Sequence, residues 1–484
     1  MATRIPKNRA TFSVAELLES CAGELEAPGS GRGCTSIRTS SRDLDPGAAF
    51  VALKGASHDG HDHVAEAAAA GATVAIVEHA VEAPPEMTVI RVGSTLRALG
   101  DLARTHVARW HARGGRTLIG ITGSAGKTTT RVATAALVES LFPGELIATR
   151  GNLNNRIGVP MMLFSLDGSH RACVVELGTS EPGEIPELCR IAQPDVGILT
   201  LIAAAHLDGL GSIEGVEREK AAIFTSLGRG GVAIGNGDDA RVRRLLETGP
   251  AERRVRYGRD GAAEVQVVER TPIGMTSSRV VVRHADGRSS RFETPLVGEA
   301  GALACAAAIA AVEAAFGARL DSARLSEAFS QVQLGEGAQR LVPLELASGL
   351  AVIDDSYNAN PTSMSASIRA VTEMAEAMGR PLVLVLGEMR ELGGEAAAGH
   401  DEVGRVAAAT GARLVVAIGG GEAHRMGDAA RASGPVLLAP SVEEGLAAVS
   451  EAIAPSDLVL VKGSRSVGMD RIVAELSRRH GQRS

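Results

Sequence analysis

Thr117-Leu-Ile-Gly-Ile-Thr-Gly-Ser-Ala-Gly-Lys-Thr-Thr129 decides more about the fold than any other stretch of this chain. Thr117–Thr122 is a short apolar run that reads as a buried strand, and Gly-Ser-Ala-Gly-Lys-Thr is a turn from that strand into a helix. Glycines in such a turn let backbone N–H groups face phosphate oxygens, and the helix N-terminus adds its partial positive charge. Lys127 is placed to reach the β- and γ-phosphates of ATP and Thr128 to hold Mg2+. The long phosphate-loop pattern has a glycine where Ile121 stands, so the match is to the shorter Gly-x-x-Gly-Lys-Thr form. Gly123, Ser124, Ala125, Gly126, Lys127, Thr128 and Thr129 are the expected nucleotide site.

Outward from this loop the α/β alternation continues. Downstream, Cys173–Leu177, Val196–Ile202 and Gly231–Ile234 read as strands separated by helical stretches, the pattern of a parallel sheet covered by helices. From Val255 to Pro295 the period becomes two (Val265-Gln-Val-Val, Arg279-Val-Val-Val-Arg), which predicts an antiparallel appendage. Upstream, strands at Ala48–Leu53 and Thr73–Glu78 flank a helix at Val64–Gly71. A helix at Thr95–Ala112 then leads to Gly114-Gly115, a linker. Beyond a helix at Gly301–Phe316 and a turn-rich segment around Gly335-Glu-Gly, the alternation restarts at Leu350–Asp354, Leu382–Leu386, Arg413–Ile418 and Leu458–Val461. Three α/β domains are expected, 1–114, 115–337 and 338–484. The length of 484 residues agrees, at about 150 residues per domain.

Composition bounds the function. Apolar residues at 45% and charged residues at 22% describe a globular chain, and 2% aromatics leave its cores to Ala, Val, Leu and Ile. A net charge of −7 gives no electrostatic case for nucleic acid or an anionic membrane as the main partner. Met1–Ser20 lacks an apolar signal-peptide core, and the Ala-rich run Ala300–Val312 is too short to span a bilayer, so no membrane insertion is expected. Cys21, Cys34, Cys173, Cys189 and Cys305 form no Cys-x-x-Cys pair, which fits a reducing, cytoplasmic setting and offers no zinc site. Only five of the 50 basic residues are lysine: Lys7, Lys54, Lys127, Lys220 and Lys462. Against that bias an interior lysine hints that a primary amine is needed, since Arg is a permanently charged planar fork.

Further candidates follow the phosphate loop. Glu176 ends an apolar strand in Val-Val-Glu-Leu-Gly, at the sheet edge where doubly wound folds bind ligands. His206 follows a strand in Ala-Ala-His-Leu-Asp-Gly, and Lys220 lies in the helical Glu-Arg-Glu-Lys-Ala-Ala-Ile-Phe. Taken singly, each reads more readily as structural; together they can surround Mg2+, which prefers oxygen ligands. A protonated lysine cannot ligate a cation, so Lys220 needs either an ion-pair role or conversion to an anionic carbamate. Gly151-Asn-Leu-Asn-Asn-Arg-Ile-Gly-Val-Pro160 is dense enough in asparagine to suggest polar ligand contacts. For Asp354-Asp-Ser-Tyr-Asn-Ala-Asn-Pro361 a turn and a ligand site are equally supported. Lys462-Gly-Ser-Arg-Ser466 resembles an anion-binding turn, though a simple basic loop explains it nearly as well. The Asp59/His61/Asp62/His63 cluster is too closely spaced for convergent metal geometry.

In this order along nearly the whole chain, these strings resemble the Mur ligases, most closely the members that add D-alanyl-D-alanine. Phe50-Val-Ala-Leu-Lys-Gly-Ala-Ser-His-Asp-Gly-His-Asp resembles the family's UDP-sugar-binding domain. Leu-Gly-Glu-Met-Arg-Glu-Leu-Gly resembles the family's C-terminal domain, and Ser-Tyr-Asn-Ala-Asn-Pro and Lys-Gly-Ser-Arg in that domain point to the dipeptide-adding branch. The resemblance implies a three-domain architecture with a central phosphate-loop sheet and a Rossmann-like C-terminal domain. It implies a monomeric ligase that phosphorylates the terminal carboxylate of UDP-N-acetylmuramoyl-tripeptide with ATP and couples the acyl group to D-Ala-D-Ala. It further implies two Mg2+ ions, with Thr128, Glu176 and His206 in the metal site and Lys220 carbamylated by CO2. Lys127, Lys220 and His206 are the implied catalytic set, and Arg340 and Asp355 implied ATP contacts. Asn358 and Asn360 fall where the dipeptide binds, Ser41 and Arg42 where the uridine nucleotide binds, and Asn154, Asn155, Lys462 and Arg465 are substrate candidates. Three departures stand out. Ala300-Gly301-Ala302-Leu303-Ala304 replaces the family's His-Asn-x-x-Asn, which predicts weak adenine contacts. Ser40 replaces an Asp near the uridine site, and Ala338-Gln-Arg340 replaces Gly-Arg. Addition of another amino acid, glutamylation of a folate, a phosphotransferase and an inactive nucleotide-binding partner are the rival readings.

Overall fold

The computed structural model describes residues 5–55, 58–332 and 340–481, which form three sheets. The first holds Glu24–Ala27, Thr88–Arg91, Val74–Val77, Ala48–Val51 and Ser36–Arg38 in that spatial order. Its inner strands Ala48–Val51 and Val74–Val77 are buried at every position, as parallel strands covered on both faces must be. The edge strand Glu24–Ala27 runs antiparallel and is largely exposed, which is why its pattern carries no readable alternation.

The central sheet has nine strands, and the strand Thr117–Thr122 lies between Val196–Leu199 and Ala172–Glu176. The chain leaves this strand toward one side and returns on the other, so a crevice opens at the carboxyl ends there. Arg253–Gly258 is parallel to both Val232–Asn236 and Val265–Ile273, so the antiparallel appendage begins one strand later than the expected Val255. Alternation reports which face is wet and carries nothing about the partner's direction.

The helix Gly298–Phe316 has 19 residues, with the length and apolarity of a membrane span. It exceeds the Ala300–Val312 run from which a short segment was expected, so length alone does not distinguish it. Ala302 and Cys305–Val312 are all buried in one cluster with the phosphate-loop strand and its helix Lys127–Leu141, which makes it a core helix.

The third sheet orders Val342–Glu345, Ala351–Asp355, Leu458–Lys462, Leu382–Gly387, Leu414–Ile418 and Val436–Ala439. Its parallel register sets Asp355 directly beside Lys462 at the carboxyl ends. The expected boundary near 338 and the Gly335-Glu-Gly turn lie outside the described residues.

Packing joins these units unequally. One hydrophobic cluster runs from Phe12, Leu17, Leu99 and Trp110 of the first unit into Met161, Ile185 and Leu188 of the central one. A Cβ on Gly100 would fall 2.7 Å from Ile191 Cδ1, so the glycine lets those helices close. The C-terminal sheet keeps its own two clusters, to which the central unit adds only Met275 and Val297. All five cysteines are buried and unpaired.

Candidate active site between the central and C-terminal sheets

A cavity of about 530 Å3 lies between the carboxyl ends of these two sheets. Ser124–Lys127, Thr129 and His206 line it from the central side, Asp355, Asn358, Asn360 and Lys462 from the C-terminal side, and Arg340 from the junction. The phosphate loop needs its glycines. Gly123 sits at φ +150°, and a Cβ there would fall 1.8 Å from Thr200 Oγ1. Gly126, at φ +82°, turns the chain into the helix Lys127–Leu141. Thr200 Oγ1 donates to the Ala125 carbonyl at 2.6 Å, which bends the chain away from the sheet and ends that strand at Leu199 rather than the expected Ile202. Lys127 Nζ donates to the Gly123 carbonyl at 2.7 Å, folding its ammonium over the loop.

Beneath the loop, Glu176 gathers donors. Thr128 Oγ1 donates to its Oε2 at 3.0 Å, Asn154 Nδ2 to its Oε1 at 3.1 Å, and Arg131 Nε lies 3.6 Å away. Its backbone N–H is held by Thr149 Oγ1 at 2.9 Å. Lys220, on the helix Ile213–Thr225, is 1% exposed and makes no hydrogen bond or ion pair among the described residues. Glu219 beside it is turned away to accept the N–H groups of Gly183 and Ile185 at 2.7 and 2.6 Å. Burial first, and then the charge on Lys127, push the Lys220 amine well below its usual range, with Glu219 opposing. The ion-pair role that the sequence left open has no partner there.

His206 stands at φ +56°, and its Nδ1 lies 2.6 Å from Glu391 Oε2. Burial and Lys127 lower its pKa while Glu391 opposes them. Across the cavity, Lys462 Nζ lies 2.7 Å from Asp355 Oδ2, which also accepts from Ser367 Oγ at 2.5 Å. Burial lowers the Lys462 amine despite that carboxylate. Asn360 caps the helix Pro361–Met378, accepting from Ser363 N at 2.8 Å, and its amide reaches the Ser124 carbonyl at 3.4 Å. Arg340 lies over the Tyr357 ring, 5.3 Å from its centroid.

Other expected site residues lie elsewhere. Asn155 Oδ1 accepts the N–H groups of Ile157 and Gly158, at 3.1 and 2.8 Å, in the turn that leads into the helix Gly158–Leu163. Arg465 is exposed beside Asp470 at 3.1 Å, outside the cavity lining. Ser41 and Arg42 lie on the first unit, where Ser41 Oγ donates to Glu66 Oε2 at 3.1 Å. Of the five lysines, Lys127 and Lys462 line the cavity and Lys220 is buried. Lys7 and Lys54 are exposed in ion pairs with Asp45 and Asp59, a task open to Arg. His61 has both ring nitrogens committed, Nδ1 to Asp59 at 2.6 Å and Nε2 to the Glu78 N–H at 2.8 Å. The Asp59–His61–His79 group is therefore spoken for by the fold.

Sequence reasoning missed Thr200, Arg131, Asn236 and Glu391. Asn236 and Tyr257 are polar groups in the wall that also holds Leu296–Gly301, Leu303 and Ala304. A Cβ on Gly301 would fall 2.4 Å from the Leu296 carbonyl, so that position admits no larger residue without a backbone shift. Glu391 stood in a quoted string, but nothing in the string points to a partner 185 residues away.

Comparison with known proteins adds the following. Residues 34–107 match the Mur ligase family, catalytic domain; 121–312 the Mur ligase middle domain; and 339–465 the Mur ligase, glutamate ligase domain. The UDP-N-acetylmuramoyl-tripeptide--D-alanyl-D-alanine ligase of Escherichia coli (strain K12) is 32% identical over 475 residues, covering 96% of this chain and 98% of that protein. A structure of MurF from Acinetobacter baumannii superposes with a TM-score of 0.84 at 30% identity, over 97% of this chain and 99% of that one. MurF ligase from Thermotoga maritima in complex with ADP gives a TM-score of 0.78 at 25% identity, over 92% and 98%.

Proposed function

Since the chain belongs to the Mur ligase family, we propose that it is the ATP-dependent ligase adding D-alanyl-D-alanine to UDP-N-acetylmuramoyl-tripeptide in peptidoglycan precursor synthesis. The observation that carries this reading is the single cavity walled by a phosphate loop on one side and by Asp355, Asn358 and Lys462 on the other. On this reading the domains are 1–114 for the UDP-sugar, 115–337 for ATP and 338–484 for the incoming dipeptide.

The chemistry has two steps. The terminal carboxylate of the tripeptide attacks the γ-phosphorus of ATP, forming an acyl phosphate and releasing ADP. The dipeptide amine then attacks the acyl carbon, loses a proton and expels phosphate, leaving the amide. The first step brings a carboxylate against a triphosphate, and Lys127, Arg340 and the phosphate-loop N–H groups offset that repulsion electrostatically. The second step must outpace hydrolysis, which the burial of the cavity between two sheets serves. Asn358 and Asn360 orient the dipeptide and Asp355 the ribose. Ser41 and Arg42 hold the uridine end, while Asn154 steadies Glu176.

The Thr128 hydroxyl, the Glu176 carboxylate and a His206 ring nitrogen make a donor set suited to Mg2+, and these residues would hold it. Bound there, Mg2+ supplies positive charge against the phosphates. Lys220 fits the carbamate role because burial lowers its amine pKa, favouring the neutral form that reacts with CO2. We place the protein in the cytoplasm as a monomer, where ATP is available and its free thiols stay reduced.

The test is ADP release with Mg2+ and UDP-N-acetylmuramoyl-tripeptide, with and without D-Ala-D-Ala, with mass analysis of the product. Dipeptide-dependent release with a product heavier by one dipeptide unit is expected. Release driven by another amine moves the protein to another specificity, and phosphorylation of a metabolite without amide formation moves it to a phosphotransferase.

A further inference from the structure

We propose that Glu391 is a positioning residue that fixes the tautomer of His206 only while the C-terminal unit is docked. The inference rests on the reading of the cavity as a ligase site, and its geometry comes from two loops on different sheets. Glu391 Oε2 lies 2.6 Å from His206 Nδ1, and the Glu391 carbonyl accepts the Leu207 N–H at 2.9 Å, so the two loops are clasped at two points. A carboxylate offers only lone pairs, so the shared proton sits on Nδ1. In the neutral ring the lone pair is then at Nε2, which makes no hydrogen bond among the described residues.

Both loops are bent for this meeting. His206 and Glu391 each hold a left-handed backbone, at φ +56° and +65°, which non-glycine residues avoid unless the surroundings compel it. The Glu391 side chain is 59% exposed, so as a surface contact it contributes little to stability. A strained and poorly rewarded contact lining the cavity is better explained by what it does to the imidazole.

The clasp also reports docking. The Arg390 N–H is held by Ser464 Oγ at 2.8 Å and the Ser464 N–H by the Glu388 carbonyl at 3.2 Å. Glu391 therefore travels with the strand end that carries Lys462. When the C-terminal unit swings away, His206 loses its acceptor and reverts to the tautomers available in water.

The experiment is nitrogen-15 NMR of the histidine-labelled full chain at neutral pH, with His206 assigned by loss of its signals in His206→Gln. The wild type is expected to show protonated Nδ1 and a bare Nε2 at this residue. Glu391→Ala is expected to shift it to the Nε2–H tautomer. With a non-hydrolysable ATP analogue present, the same variant should weaken Mn2+ binding about 10-fold, the usual cost of losing the partner of a ligating histidine. Glu391→Gln, which keeps a carbonyl acceptor, should retain the wild-type tautomer. Arg270→Gln breaks a different contact to the C-terminal unit, the Arg270–Glu373 ion pair, and should leave the tautomer unchanged. An unshifted tautomer in Glu391→Ala, a charged imidazole in the wild type, or an equal shift in Arg270→Gln would overturn the assignment. Failure of the wild type to release ADP in response to the dipeptide would instead remove the functional reading, whatever the tautomer.

Discussion

Lys220 shows how one side chain can hold stability and chemistry in opposition. Its amine is buried without a partner among the described residues, so folding favours the neutral form. The folded pKa lies below the unfolded value of about 10.4, and between the two the unfolded chain binds more protons, so stability rises with pH across that window. Lys220→Met should therefore melt higher than the wild type at pH 7 in CO2-free buffer. The gap should close as pH approaches 10, as thermal shift across that range would show. Activity should move the other way. Lys220→Ala is expected to lose about 100-fold or more in turnover, a large loss for a group that supports a metal site, with partial rescue by a short carboxylic acid. Full activity of that variant in bicarbonate-depleted buffer would remove the carbamate role. Lys127, Glu176 and Lys220 were candidates from the phosphate loop, a strand end and lysine scarcity, whereas Asp355 and Lys462 were separated from ordinary turn residues only by the family resemblance. Glu391 was not a candidate, since its meaning depends on which loop of another sheet comes to face it.

At the scale of elements, the Ala-rich helix Gly298–Phe316 does two jobs. Its middle is buried among the phosphate-loop strand and helix, where alanines allow close approach. Ala311→Leu should overpack that contact and cost about 1–3 kcal/mol, read as a lower first melting transition. Its first turn forms the apolar part of the cavity wall, where Glu299 is already engaged by Arg259 at 2.7 Å. Walls poor in free hydrogen-bonding groups reject analogues weakly, so GDP should compete with ADP to within about 100-fold in a displacement assay. The departure at residues 300–304 was visible in the sequence. The polar residues of the same wall, Asn236 and Tyr257, were not, because they arrive from other strands. Short or exposed strands such as Leu146–Ala148 and Glu24–Ala27 escaped for a simpler reason: too few residues alternate to leave a pattern.

Across the whole molecule, the first and central units share a hydrophobic cluster, whereas the C-terminal unit meets the central one largely through polar contacts. Ion pairs weaken with salt, less where one partner is buried as Arg270 is, and apolar cores do not. Raising salt from 0.05 to about 0.5 M, which shortens the screening length severalfold, should expand the scattering radius of the free protein, and a bound ATP analogue should reverse that. An unchanged radius would mean that the docked arrangement is held by more than these contacts. The alternation of strands and helices predicted three units but could not rank their attachments, because an interface is a property of two surfaces at once.

Among the described residues, five other than glycine hold left-handed backbones, and they divide cleanly. Ala22 and Gln193 close helices, where such a turn is ordinary. His206, Leu341 and Glu391 all line the cavity. A laboratory selection for heat resistance alone would thus be drawn to glycine or asparagine at those three places, each exchange relieving about 1 kcal/mol or more of strain. The survivors of that selection would be hardier proteins and poorer enzymes.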